Sequence, residues 1–115
     1  MNFDKRLINS VKAANASAVK HLVEKTDVDV NYQDKDGMTA LHWAAAYKAR
    51  PCLRILVNCG KCNYLLKDKK DRSASELAFE YGRDYAVGRL LMKKEAQQAV
   101  KDGVLEDWSG ELVED

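Results

Sequence analysis

The sequence predicts an all-α fold, a solenoid of paired antiparallel helices joined by short loop tips, on three observations. The chain matches itself at a shift of 34 residues, apolar residues recur at three- and four-residue spacing within each unit, and helix start and stop signals fall between those runs. At that shift Val19, Leu53 and Val87 align, as do Leu22, Leu56 and Leu90, then Val23, Val57 and Leu91, and a small-residue column of Ala18, Cys52 and Ala86. The earlier half of each unit repeats as well, pairing Asp34 with Asp68, Thr39 with Ser73, Ala40 with Ala74, Ala44 with Ala78 and Tyr47 with Tyr81.

Residues 1–33 form the first unit and act as an N-terminal cap, with Leu7, Ile8 and Val11 on one helix and Val19 to Val23 on the next. The middle unit, 34–67, opens its first helix at Thr39, a residue whose side-chain oxygen can accept an otherwise unpaired helix N–H. Leu41, Ala44 and Ala45 give that helix one apolar face, and Leu53, Leu56 and Val57 do the same for its partner. Pro51 suits the first turn of the second helix, where its missing N–H costs nothing, and Gly60 suits a left-handed stop. The last unit, 68–101, starts with Ser73-Ala-Ser-Glu76, the spacing of a capping box. Residues 102–115 follow as an acidic tail, in which Val104, Leu105, Trp108, Leu112 and Val113 interleave with five acids; the reading placed first is that this segment folds back over the last helix pair, the alternative a free tail.

The run Asp34-Lys-Asp-Gly37-Met-Thr39-Ala-Leu41-His42-Trp43-Ala44-Ala45 resembles the signature of the ankyrin-repeat family, with Ala40 in place of the usual proline. The resemblance covers about residues 3–95 and weakens outward. In the last unit Asp71 replaces Gly37, Ser75 replaces Leu41 and Glu76 replaces His42. Aspartate tolerates positive φ better than most residues, so the turn can survive. A serine at Leu41's counterpart fits a terminal unit with water on one side. The resemblance implies that His42 tethers neighbouring units by hydrogen bonds and that Trp43, in a position usually leucine, packs as core rather than as a binding anchor. Three units are close to the minimum for such a stack, because a single repeat cannot bury its apolar face.

Composition narrows the function. Among 115 residues, 46% are hydrophobic and 32% charged, with one proline, as expected of a globular single domain. Residues 1–103 carry 19 basic and 13 acidic side chains, whereas 104–115 carry five acids and no base. A mildly basic body of this kind lacks the concentrated stripe of a nucleic-acid binder. The charged start Asn2-Phe3-Asp4-Lys5-Arg6 does not read as a signal peptide, and apolar runs such as Leu53 to Val57 are too short to span a bilayer, so no membrane partner and a cytoplasmic location are expected. Three cysteines argue for free thiols rather than a disulfide framework.

Chemistry has few footholds. Cys59-Gly-Lys-Cys62 has the C-x-x-C spacing of redox and zinc motifs, but it follows a helix, so the nearby negative end of the dipole disfavours thiolate. A structural zinc site wants four ligands, and the remaining candidates, Cys52, His21 and His42, include no second paired motif. His42 has no nucleophile and orienting carboxylate predicted around it. The glycines show no phosphate-binding spacing. No enzymatic activity, cofactor or metal is expected.

What remains is a monomeric protein-interaction module. The resemblance implies that partners lie on the face made by loop tips and first helices, which carries Lys35, Asp36, Met38, Ala46 and Tyr47 in the middle unit. The last unit contributes Lys69, Lys70, Arg72, Glu80 and Tyr81, and the first contributes Lys12 and Ala13. Lys67-Asp-Lys-Lys-Asp-Arg72 reads first as a solvated tip, with a patch for an acidic partner or for the chain's own tail as alternatives. Rival readings are a dedicated inhibitor or regulator of a partner enzyme or toxin, a metal- or redox-responsive protein built on Cys59 and Cys62, and a homo-oligomeric structural protein.

Overall fold

The computed structural model describes residues 2–103. The first unit contains α1 (Phe3–Lys12) and α2 (Ala16–Lys25), and the middle unit α3 (Ala40–Ala46) and α4 (Arg50–Asn58). The last contains α5 (Ala74–Leu77), a π-helical turn (Ala78–Gly82) and α6 (Tyr85–Lys101). First helices stack α1 on α3 on α5, and α2 packs on α4 behind them. The expected fold-back of 104–115 lies outside the described residues.

Caps appear where the sequence placed them. The Thr39 hydroxyl accepts the His42 amide, and the Ser73 hydroxyl accepts the Glu76 amide. Each N3 side chain reaches back to its cap residue's N–H, which closes both capping boxes. Asn15 and Asp84 cap α2 and α6. Pro51 stands in the first turn of α4, and Gly60 takes φ 73° just past its end.

The core is one continuous seam. Val11, Val19, Leu22, Ala44, Cys52, Leu56, Leu77, Ala78 and Leu91 are all essentially solvent-free and belong to a single cluster. Two aligned columns differ from expectation. Leu22 and Leu56 are buried, but Leu90 is 40% exposed and Leu91 fills the equivalent place. Likewise Ala86 is exposed and Val87 is buried. The cause is local. The left-handed residue between paired helices is Ala14, Lys48 and then Arg83, one position later than a strict repeat places it. The π-helical turn holds that extra residue, so α6 starts one residue late while α5 stays in register.

The same turn brings Gly82 against the preceding unit, where a Cβ would collide with the Ala45 carbonyl oxygen. Ser75 also differs from expectation. It does not face water but is buried, with its amide and hydroxyl donating to the two carboxylate oxygens of Glu95 on α6. α6 is 17 residues long against 9 for α4, and its added turns close over the end of the stack in this way. Burial raises the Glu95 carboxyl above its ordinary value, a cost that the Ser75 bonds partly offset.

Replacing Gly82 with alanine is expected to lower stability by about 3 kcal/mol, near the upper range for overpacked sites, because the obstructing atom is backbone. Urea denaturation at neutral pH measures this directly.

Candidate functional site

The two loop tips are built from an aspartate at the start of the middle and of the last unit. Asp34 Oδ1 accepts the amides of Asp36 and Met38, and Asp68 Oδ1 accepts those of Lys70 and Arg72. The chain closes each tip with Asp34 N–H to the Met38 carbonyl and Asp68 N–H to the Arg72 carbonyl. Gly37 at φ 77° and Asp71 at φ 62° turn the two tips, so aspartate does replace glycine in the left-handed region. Neighbouring tips are joined by the Lys69 amide donating to the Asp36 carbonyl at 3.0 Å. A Cβ on Gly37 would sit 2.7 Å from the Lys69 nitrogen, so this approach requires glycine.

Two residues secure the tips to the helices. His42 is 2% exposed; its Nδ1 accepts the Thr39 N–H, and its Nε2–H donates across the repeat to the Arg72 carbonyl at 3.2 Å. That arrangement requires the neutral ring protonated on Nε2, and burial lowers the His42 pKa accordingly. Gln33 adds a second tie, donating to the Gly37 and Lys67 carbonyls.

The second carboxylate oxygen of each aspartate holds a side chain. Asp34 Oδ2 accepts the Trp43 indole N–H at 2.9 Å, and Asp68 Oδ2 accepts Arg72 Nε at 2.9 Å. Burial alone would raise both carboxyls. For Asp34 the indole and the Met38 and Asp36 amides outweigh it, and for Asp68 the Arg72 side chain and amide do, so both lie below the usual range.

Between the tips and helices α3 and α5 lies a hollow of about 540 Å³. It brings together Asp36, Met38, Ala46, Tyr47, Lys69, Lys70, Arg72 and Tyr81, eight of the residues expected from sequence. Lys35 stands apart, lining an adjoining hollow of about 490 Å³ with Lys5, Lys12 and Tyr32. Tyr47 and Tyr81 are 54% and 59% exposed, whereas Met38 is 5% exposed and forms floor rather than tip. Arg72 is not a free cation: it pairs with buried Asp68, donates to the Tyr81 hydroxyl and lies 5.4 Å from that ring.

Trp43, expected from sequence as core in preference to a binding anchor, takes a position between the two. It packs against the core on one side, but it is half-buried and lines the hollow beside Ala46 and Leu77. The Lys12 ammonium sits 4.3 Å from its ring centre, and Tyr47 packs 5.3 Å away at a tilt. The signal was present: Trp43 and Tyr47 are four apart, hence on one helix face.

The cysteines sit elsewhere. Cys59 and Cys62 both donate to the Leu56 carbonyl at the C-terminal end of α4, and burial pushes the Cys62 thiol up to about 12. No cluster of three or more metal-ligating side chains occurs among the described residues. Among them, too, no helix is long and apolar enough to cross a membrane.

The stacked tips, the histidine tie and the repeat period describe one architecture, and comparison with known proteins agrees. A family model described as ankyrin repeats (3 copies) matches residues 7–102. The chain belongs to the ankyrin-repeat family. It is 29% identical over 91 residues to a putative ankyrin repeat protein of Rickettsia bellii, an alignment covering 78% of this chain and 50% of that protein. It is 36% identical over 83 residues to ankyrin repeat domain-containing protein 37 of Mus musculus, covering 69% and 49%. A third similarity, 28% over 98 residues, is to the E3 ubiquitin-protein ligase Ufd4 of Drosophila melanogaster, covering 85% of this chain and 3% of that protein. The chain therefore spans about half the length of the first and second relatives. Ankyrin repeats are generally protein-interaction modules rather than enzymes.

Two outcomes follow from these geometries. Below about pH 6.5, the ordinary histidine value, an unfolded chain protonates His42 while the folded chain resists, so stability falls as pH drops from 7 toward 5. The lowered aspartates contribute their loss only below their own ordinary value of 3.8, outside that window, and Glu95, raised by burial, acts in the opposite direction. Urea titrations of the native chain and of His42→Gln at pH 7 and pH 5 should show a weaker loss in the variant. Separately, Arg72→Ala should destabilise by about 1–3 kcal/mol by stripping a charged bond from buried Asp68. Lys69→Ala and Lys70→Ala should stay within about 0.5 kcal/mol, as surface changes do; thermal melts distinguish the two groups.

Proposed function

We propose that this ankyrin-repeat protein is a non-catalytic binding module that docks a protein partner in the hollow between its loop tips and the exposed sides of α3 and α5. The observation carrying this reading is the convergence of exposed Tyr47 and Tyr81 with the Trp43 face around one apolar depression. Such rigid amphipathic rings bury large areas at low entropic cost, which makes them the preferred anchors of interfaces.

Around this floor, Lys69 and Lys70 provide unpaired positive charge among the described residues, while Arg72 is committed to Asp68. The recognition chemistry is therefore an apolar or aromatic anchor on the partner, flanked by acidic groups that meet the two lysines. Asp36 on the neighbouring tip disfavours acid there and sets polarity along the hollow. Catalysis has no support in this arrangement, since one nitrogen of the buried histidine is used in its own helix cap and the other in the tie to the next unit, and the Cys59 and Cys62 thiols both donate to a backbone carbonyl.

Affinity capture from native lysate, with the double variant Tyr47→Ala/Tyr81→Ala as control, tests the assignment. A partner retained by the native chain should bind the variant at least about 30-fold more weakly, corresponding to roughly 2 kcal/mol for lost hot-spot rings. Unchanged affinity in the folded variant would place recognition on another face.

A further inference from the structure

The outer wall of the solenoid is not closed between its last two helices. α2 and α4 pack closely, whereas the backbones of α4 and α6 approach each other less closely. Arg50 at the start of α4 pairs with Asp84, the N-cap of α6, and Gln98 on α6 donates to Asn63 and accepts the Tyr64 amide in the segment that follows α4. Between these ties run two hollows that share Val57, of about 270 Å³ and about 400 Å³. Leu53, Val57, Val87 and Leu90 give the first an apolar lining, and Leu90 is there because the extra residue of the π-helical turn sets α6 one position late. Arg54, Lys94 and Lys101 stand along the lips, and the second hollow opens at Asp102.

We propose that residues 104–115 of this chain occupy that groove. Three independent features select this occupant. The segment begins where the groove opens, since Gly103 at φ 79° stops α6 directly beside Asp102. Its composition is complementary, with Val104, Leu105, Trp108, Leu112 and Val113 for the apolar floor and five acids, without a base, for the cationic lips. Its reach is sufficient: Lys101 back to Ala86 is about 22 Å of helix at 1.5 Å per residue, and twelve residues span about 40 Å extended or 18 Å as helix. The hollow between the loop tips takes no residue from α6, so it does not share this adjacency.

Attachment makes the contact effective. A short tether presents the segment at about millimolar local concentration, so modest burial of Leu105 and Trp108 suffices to hold it. This inference is independent of the role proposed for the tip hollow.

Amide chemical shifts of the full chain test it. Leu105→Ser/Trp108→Ser should move the signals of Leu53, Arg54, Val57, Leu90 and Lys94, independently of protein concentration, and leave those around Tyr47 and Tyr81 in place. Leu90→Glu, a change at an exposed position, should produce the same pattern from the other side by placing a carboxylate against the acidic segment. Unmoved groove signals in the tail variant, or shifts confined to the tip hollow, would overturn the proposal. A concentration-dependent pattern would assign the groove to the segment of a second copy and would also overturn it.

Discussion

No helix pair in this chain can bury its apolar face alone, and every other feature depends on the stacking that resolves this. Val19, Leu22, Leu56 and Leu91 each need a neighbouring unit to exclude water, and together they make one seam across three units. Removing apolar area from water stabilises each such side chain by roughly 1.5–3 kcal/mol. Because that gain is shared between units, their spacing is fixed, and the loop tips must stack at the same spacing. The Lys69–Asp36 backbone bond and the His42 tie to the Arg72 carbonyl are the polar consequence. Buried donors and acceptors that the stacking removes from water are met by partners across the repeat.

Seen from the surface, this division of labour explains which charged residues remain for recognition. Asp34 and Asp68 spend their carboxylates on the tips themselves, and Arg72 is drawn inward to neutralise the more buried of the two. Trp43 performs the corresponding task for Asp34 through an indole N–H, so one aromatic ring both fixes a tip and forms part of a binding floor. Lys69 and Lys70 project from the same tip with no such duty, which leaves their charge available. A basic cluster in the sequence thus separates into one structural cation and a pair suited to meeting another molecule.

The third unit differs from the middle one in how it covers its first helix. A middle unit presents leucine where the next unit will cover it, whereas this last unit presents Ser75 and covers it with its own α6 through Glu95. The longer α6 thus supplies from within its own unit the contact that covers Ser75. The extra residue in the π-helical turn alters the face of α6 that meets α4, turning Leu90 outward to line a hollow beside α4. One inserted residue therefore changes the surface without breaking the seam, because Leu91 falls into the place that Leu90 vacates.

How much of this the residues alone conveyed follows from the range of each interaction. Repeat period, helix faces, capping boxes, the Asp71 turn and most of the tip hollow were legible, because they rest on local spacing and on chemistry between near neighbours. Leu90 and Ser75 were misplaced, because their environments depend on an element 20 positions away or on a helix phase set by one inserted residue; Trp43 packs against the core as expected but also lines the hollow. By itself the sequence determined which units form and which faces they bury. Only the tertiary structure decided which cation stays free, which aromatic reaches the surface and where the wall opens, since those outcomes depend on competition among partners brought together by stacking.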